Sequence, residues 1–175
     1  MTLKPRDPLL AAARVILIVM MAIMALVGVL MAVLTPVLPL VKGRIIAQLA
    51  EHGVSPDAVW PIAGVFALVA VGAYLGFLFF RHLYRMVDTV GEGDPFIPAN
   101  ADRLSAMGWI AIAVHLLTIP LLGLLSLLSG MVKDGNIDAD FGVDLSGILL
   151  VLILFILARV FRKGAEMREE LEGTV

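Results

Sequence analysis

The chain has 175 residues, of which 61% are hydrophobic and 16% are charged, and its formal net charge at pH 7 is -2. Soluble globular domains carry about 25% charged residues, so this composition excludes an ordinary water-soluble domain and indicates an integral membrane protein. The sequence contains no cysteine, which excludes disulfides, thiolate metal sites and a cysteine nucleophile.

Four apolar segments are long enough, alone or with their flanks, to cross a bilayer. A helix needs about 20 apolar residues for this, because the hydrocarbon core is about 30 Å thick. The sequence predicts an all-α integral membrane protein, a bundle of four transmembrane helices that forms a single domain over residues 1–175. The predicted spans lie at about 14–35, 60–82, 107–130 and 142–161.

The orientation follows from the basic residues, because Lys and Arg close to membrane spans are retained on the cytoplasmic side. Ten of the 13 Lys and Arg residues fall on one side of the predicted spans: Lys4, Arg6, Arg14, Arg81, Arg85, Arg103, Arg159, Arg162, Lys163 and Arg168. Lys42, Arg44 and Lys133 fall on the other side. The pattern predicts that both termini lie in the cytoplasm, with a cytoplasmic loop at 87–103 and a cytoplasmic tail at 162–175.

The first span is followed by two prolines, Pro36 and Pro39, which we expect to stop or kink its helix because they remove backbone N–H donors. Lys42 to His52 then places apolar residues at helical spacing, which predicts a short amphipathic helix at the membrane interface.

Span two contains a GxxxG pattern at Gly72 and Gly76. Small residues at this spacing allow two helices to approach closely. The favoured interpretation is packing inside the chain against span three, which has a similar row at Gly123, Ser126 and Ser129. The alternative is a homodimer through Gly72 and Gly76.

The predicted cytoplasmic segments have simple local features. Asp94-Pro95 and Pro98 exclude a continuous helix through the loop, and Asn100 is predicted to cap the N-terminus of the next helix. After span four, a polar helix is predicted over 162–172, with Arg162/Glu166 and Arg168/Glu172 pairs at i, i+4 spacing.

Two segments, Gly93 to Trp109 (GDPFIPANADRLSAMGW) and Ile156 to Val175 (ILARVFRKGAEMREELEGTV), resemble an uncharacterised bacterial family of four-span inner-membrane proteins. The matching residues are Gly93, Pro95, Phe96, Asn100, Ala101, Arg103, Leu104, Gly108, Trp109, Phe161, Arg162, Gly164, Ala165, Arg168, Glu169, Glu170, Thr174 and Val175. The resemblance implies a four-span fold and a location in the bacterial inner (cytoplasmic) membrane, multi-pass, but no catalytic residues. Members are often encoded beside a small helix-turn-helix regulator, which suggests such a regulator as a partner.

We therefore expect a non-enzymatic membrane protein that contacts the lipid bilayer and a cytoplasmic regulator, and that does not bind nucleic acid directly. The predicted interaction residues are Asp94, Pro95, Phe96, Asn100, Arg103, Trp109, Arg162, Arg168, Glu169 and Glu170.

The alternative function is passage of a small molecule or ion, or a response to lipids, at an intramembrane polar site formed by His115 and Thr118 beside Pro120. A structural role for His115, hydrogen-bonded within the helices, is the competing interpretation. Asp134 to Asp140 imitates a calcium loop but lacks its glycine and its bidentate glutamate, and a haem would need a second axial ligand near His115. We predict no catalytic residue, no cofactor and no metal.

Overall fold

A computed structural model describes residues 8–41, 43, 55–131 and 145–172. These residues form four long helices, α1 (Pro8–Leu40), α2 (Val59–Glu92), α3 (Pro98–Met131) and α4 (Leu145–Glu172), and a 3-10 turn (Pro56–Ala58) that leads into α2. Each long helix contains an 18-residue window apolar enough to cross a membrane, and the described residues contain no strand. The predicted all-α class with four membrane-length helices is confirmed. The segments 44–54 and 132–144 lie outside the described residues, and they hold almost all of the predicted amphipathic helix and the calcium-like sequence.

Helix α1 does not stop at its prolines. It runs to Leu40, with Pro36 and Pro39 inside the helix. The hydroxyl of Thr35, the residue before Pro36, donates to the carbonyl of Met31 at 2.7 Å. This bond does not replace the two that the prolines remove, whose acceptors would be the carbonyls of Ala32 and Thr35.

The described chain divides into two compact units. Unit one takes its residues from Met1–Ile23, Gly76–Ala113 and Asp144–Val175, and unit two from Met24–Leu75 and Val114–Val143. All eight Lys and Arg residues that the structure describes belong to unit one, whereas Asp57 is the one charged residue described in unit two. Unit one therefore carries nearly all of the described charge.

In unit two, glycines of α2 pack against leucines of α3. A Cβ atom at Gly64 would lie 2.9 Å from Leu124 Cδ1, and one at Gly72 would lie 3.4 Å from Leu117 Cδ2. A Cβ at Gly123, by contrast, would meet no atom within 4 Å in the described part of the chain. Gly64 and Gly72 thus make intramolecular contacts with α3, but their partners are leucines and not the Gly123 row.

In unit one, α2, α3 and α4 share a hydrophobic core. Its buried members are Met86, Leu104, Met107, Ala111, Leu154 and Ala158, with Phe79, Leu83, Val151 and Phe161 packed against them. The residues from α3 recur every three or four positions, which places them on one face of that helix. Helix α1 joins this unit through an ion pair of 3.0 Å between Arg14 Nε and Asp88 Oδ1.

Candidate functional site

The candidate site is built around the short segment between α2 and α3, residues 93–97, which we call the 93–97 connection. Most of the predicted loop 87–103 is helical, because α2 extends to Glu92 and α3 begins at Pro98. Proline suits the first position of a helix, where the backbone N–H would have no intrahelical partner in any case. The predicted break in the helix is present, but it is confined to the 93–97 connection.

Helix α2 ends in a Schellman motif at Gly93. Gly93 has φ of 93°, its N–H donates to the carbonyl of Val90 at 3.0 Å, and the N–H of Asp94 donates to the carbonyl of Thr89 at 3.1 Å. These two bonds satisfy carbonyls that the end of a helix leaves unpaired. Glycine is favoured here because other L-residues adopt positive φ at a cost. Gly93 therefore sets the direction in which the chain leaves α2.

We expect Gly93→Ala to lower the free energy of unfolding by about 1 kcal/mol, and Gly93→Asn to lower it less, because Asn tolerates the left-handed region better than Ala. The measurement is SDS-induced unfolding of the purified protein in detergent micelles, followed by far-ultraviolet circular dichroism. Gly123→Ala is the control, because its added methyl group enters open space. Equal stability of the Ala and Asn variants at position 93 would contradict this explanation.

Asn100 is the one polar residue among the fully buried side chains that the structure describes. Its Nδ2 donates to Thr89 Oγ1 at 2.8 Å and to the carbonyl of Pro95 at 2.9 Å, and its Oδ1 accepts from Arg103 Nη1 at 2.8 Å. The prediction that Asn100 caps α3 is wrong, because α3 begins at Pro98 and Asn100 lies in its first turn. Asn100 instead ties α2, the 93–97 connection and α3 together.

Two partners of Asn100, Thr89 and Arg103, make further hydrogen bonds to backbone carbonyls of α2. The hydroxyl of Thr89 donates its proton to the carbonyl of Met86 at 2.8 Å, which leaves its oxygen to accept from Asn100. Arg103 Nη1, which donates to Asn100 Oδ1, also donates to the carbonyl of Arg85 at 3.1 Å. Buried polar networks of this kind rigidify a structure when every member has a partner.

The 93–97 connection packs against the end of α4. The ring of Phe96 lies 5.2 Å from that of Phe161, and a Cβ atom at Gly164 would lie only 2.7 Å from Phe96 Cδ1. The carboxylate of Asp94 forms an ion pair with the guanidinium of Arg168. Gly164 costs helix propensity, but its missing side chain makes room for Phe96.

Two further ion pairs lie along α4. Arg162 Nη2 is 3.1 Å from Asp102 Oδ1 on α3, and Lys163 Nζ is 3.2 Å from Glu166 Oε2. Arg162 therefore pairs with a residue 60 positions away and not with Glu166, the partner predicted from helical spacing. Exposed pairs of this kind contribute about 0–1 kcal/mol each. Only the Arg162–Asp102 pair joins α3 to α4.

The two segments singled out in the sequence line one open cavity of about 290 Å³, which we call the connection cavity. Its lining residues are Asp94, Phe96, Ile97, Pro98, Ala165, Arg168 and Glu169. Glu169 and Glu170 are exposed. Trp109 lies elsewhere on unit one, 64% exposed, with its indole edge-on to the ring of Phe155 at 5.7 Å.

The predicted intramembrane polar site lies on the part of α3 that belongs to unit two. His115 is half-buried and Thr118 is exposed, with its hydroxyl donating to the carbonyl of Val114 at 3.1 Å. Neither side chain lines the connection cavity. Within the described ranges, no group of three or more His, Asp or Glu residues is placed to hold a metal ion. The passage function remains a prediction.

Three residues contact the predicted interaction residues, but the sequence around them does not indicate these contacts: Thr89, Asp102 and Phe161. Thr89 and Asp102 are polar residues near helix ends, and Phe161, which matches the family pattern, closes an apolar run. Each meets a partner distant along the chain, and only covariation between homologues would have indicated those pairs.

The four apolar helices define a multi-pass membrane protein, and nearly all of the charged residues that the structure describes belong to one unit, where Asp94, Arg168 and Glu169 line the connection cavity. The chain belongs to the family described as "Protein of unknown function (DUF2975)", whose model matches residues 45–175 and so includes both segments that line the cavity. The predicted membership of an uncharacterised family is confirmed. Neither a curated protein nor a solved structure matches the chain.

Proposed function

We propose that this protein is non-enzymatic and binds a soluble cytoplasmic regulator at the connection cavity. The observation that carries the proposal is the shared lining of that cavity. The 93–97 connection and the end of α4 are far apart in sequence, with 74 positions between Asp94 and Arg168, yet both contribute side chains to it. The core beneath them and the Asn100 network give the cavity a fixed shape. A preformed surface loses little conformational entropy when it binds a partner.

The distribution of basic residues supports a cytoplasmic position for the cavity. Every Lys and Arg that the structure describes belongs to unit one, which also contains the cavity. Basic residues near spans are retained on the cytoplasmic side of bacterial inner membranes. The proposed orientation therefore has both termini in the cytoplasm.

The cavity offers apolar surface beside a carboxylate, that of Glu169, which forms no ion pair with any residue that the structure describes. Phe96 is 41% exposed and Pro98 is also exposed, while Glu169 adds a carboxylate at the rim. The charge of Arg168 is largely matched by Asp94. A complementary partner would present an apolar side chain flanked by Lys or Arg. A small helix-turn-helix regulator fits this description, because DNA-binding proteins carry clustered basic residues.

The test uses Glu169→Lys, because this side chain lines the cavity and makes no ion pair within the described residues. Charge reversal of Arg103 or Arg168 should abolish partner capture, but it would break contacts inside unit one as well. Glu92→Lys is the matched control, because Glu92 is an exposed acid of unit one outside the cavity lining. Since the native chain has no cysteine, a single cysteine at position 169 or 92 carries the cross-linker without background reaction.

We expect a helix-turn-helix regulator to be cross-linked from position 169 in intact cells and to bind the purified protein. Glu169→Lys should raise the Kd of that binding about fivefold, which corresponds to roughly 1 kcal/mol of binding free energy for a charge at the edge of an interface. Glu92→Lys should leave the Kd unchanged. Labelling of both cysteines in intact cells by a membrane-impermeant maleimide would contradict the orientation. Recovery of lipid or of this chain alone would contradict the regulator proposal.

A further inference from the structure

A second cavity, of about 490 Å³, lies in unit one between α3 and α4, and we call it the basic cavity. Arg159, Arg162, Lys163 and Glu166 line its charged part. Glu166 offsets Lys163 and Asp102 offsets Arg162, so the charge of Arg159 is in excess. The excess of positive charge attracts an anion, and the long basic side chains can adjust to one.

The basic cavity is apolar at one end and charged at the other. Phe155, Arg159, Arg162 and Glu166 follow one another on α4 at intervals of three or four residues, so they share one face of that helix. The ring of Phe155 contacts Trp109, which is 64% exposed. Tryptophan is enriched where the hydrocarbon meets the headgroups. The change from apolar to charged lining therefore coincides with the expected level of the membrane interface.

Its cations retain free hydrogen-bonding capacity. Arg162 uses one nitrogen for Asp102, and a guanidinium has five N–H donors. Lys163 contacts Glu166 at 3.2 Å. Arg159 is exposed and forms no ion pair with any residue that the structure describes. A phosphate group in the cavity would give Arg159 a partner and would share the donors of its neighbours.

We propose that the basic cavity binds the headgroup of an anionic phospholipid. The phosphate contacts Arg159 and Lys163, and the acyl chains lie along the adjoining apolar surface of α4, where Leu152, Ile156 and Val160 are each more than half exposed. This continuity of apolar surface favours a membrane lipid over a soluble phosphate. Basic pockets between membrane helices commonly hold anionic headgroups. The site is independent of the connection cavity and of any protein partner.

The experiment measures quenching of Trp109 by brominated lipids. The Trp60→Phe variant leaves Trp109 as the one tryptophan of the chain. It is reconstituted into phosphatidylcholine vesicles containing increasing fractions of dibrominated phosphatidylglycerol or, in parallel, dibrominated phosphatidylcholine. Arg159→Gln with Lys163→Gln removes two cations of the cavity, and Arg81→Gln is the control, an exposed arginine of unit one outside the cavity lining.

We expect dibrominated phosphatidylglycerol to quench Trp109 more strongly than dibrominated phosphatidylcholine in the parent protein and in Arg81→Gln. The ratio of the two quenching efficiencies measures the preference for the anionic lipid. The preference should fall roughly fivefold for each cavity cation removed, the factor that corresponds to the attraction of one basic residue to an anionic membrane. An unchanged preference in Arg159→Gln with Lys163→Gln would overturn the proposal, as would the absence of any preference in the parent. Soluble glycerol phosphate is then added to the vesicles as a competitor. If it removes the stronger quenching by phosphatidylglycerol, the cavity binds a soluble anion and the lipid assignment is overturned.

Discussion

Asn100→Ala is expected to lower the free energy of unfolding by about 3 kcal/mol, because a buried donor or acceptor left without a partner costs about 1–3 kcal/mol. The asparagine side chain is completely buried and makes three hydrogen bonds, to Thr89, Pro95 and Arg103. Its removal leaves the carbonyl of Pro95 with one donor fewer and the guanidinium of Arg103 with one acceptor fewer. The 93–97 connection should loosen with the loss of stability.

The measurement is SDS-induced unfolding in micelles, repeated for Thr89→Val and for the double variant. Because Asn100 donates directly to Thr89, the double variant should cost at least 0.5 kcal/mol less than the sum of the single variants, by a rough estimate for contacting residues. Thr118→Val is the control, since that hydroxyl bonds to its own helix. Additive effects of Asn100→Ala and Thr89→Val would show that the network is not coupled.

Asn100 also shows how far the sequence predicts the candidate site. An asparagine near the start of a helix favours an N-cap, but Pro98 two residues earlier fits the first helical position equally well. In the structure, α3 begins at Pro98. The asparagine then points away from its own helix end towards Thr89, which belongs to another helix. Local patterns do not contain that pairing, because it depends on the rotation of one helix relative to another.

The four helices were more predictable than their contacts. A long run of apolar residues is enough to predict that a membrane-spanning helix is present. For α2, the uncharged stretch within Val59–Glu92 is such a run. The ends were less predictable, as Pro36 inside α1 shows. Arg162 illustrates the same limit for ion pairs, because helical spacing indicated Glu166, whereas α3 brings Asp102 closer. Both segments of the connection cavity were identified, but their mutual contacts were not.

Gly108→Val is expected to lower the free energy of unfolding by about 3 kcal/mol, at the upper end of the cost of overpacking a close-packed site. A Cβ atom at this position would lie 3.0–3.1 Å from three atoms of the Phe155 ring, so the ring would have to shift even for alanine, and the two γ-methyl groups of valine need more space still. Phe155 is also held by Trp109, which lies edge-on to it. Accommodation of valine therefore requires α3 and α4 to separate within unit one.

Gly123→Val is the matched control, because it lies on the same helix and a Cβ there meets no atom within 4 Å among the described residues. The gain in helix propensity from Gly to Val is similar at both positions, so the difference between the two variants isolates the packing cost. In a Phe155→Ala background the obstructing ring is removed, and Gly108→Val should then cost less than about 1 kcal/mol. A loss of stability that persists in that background would place the strain elsewhere than between Gly108 and Phe155.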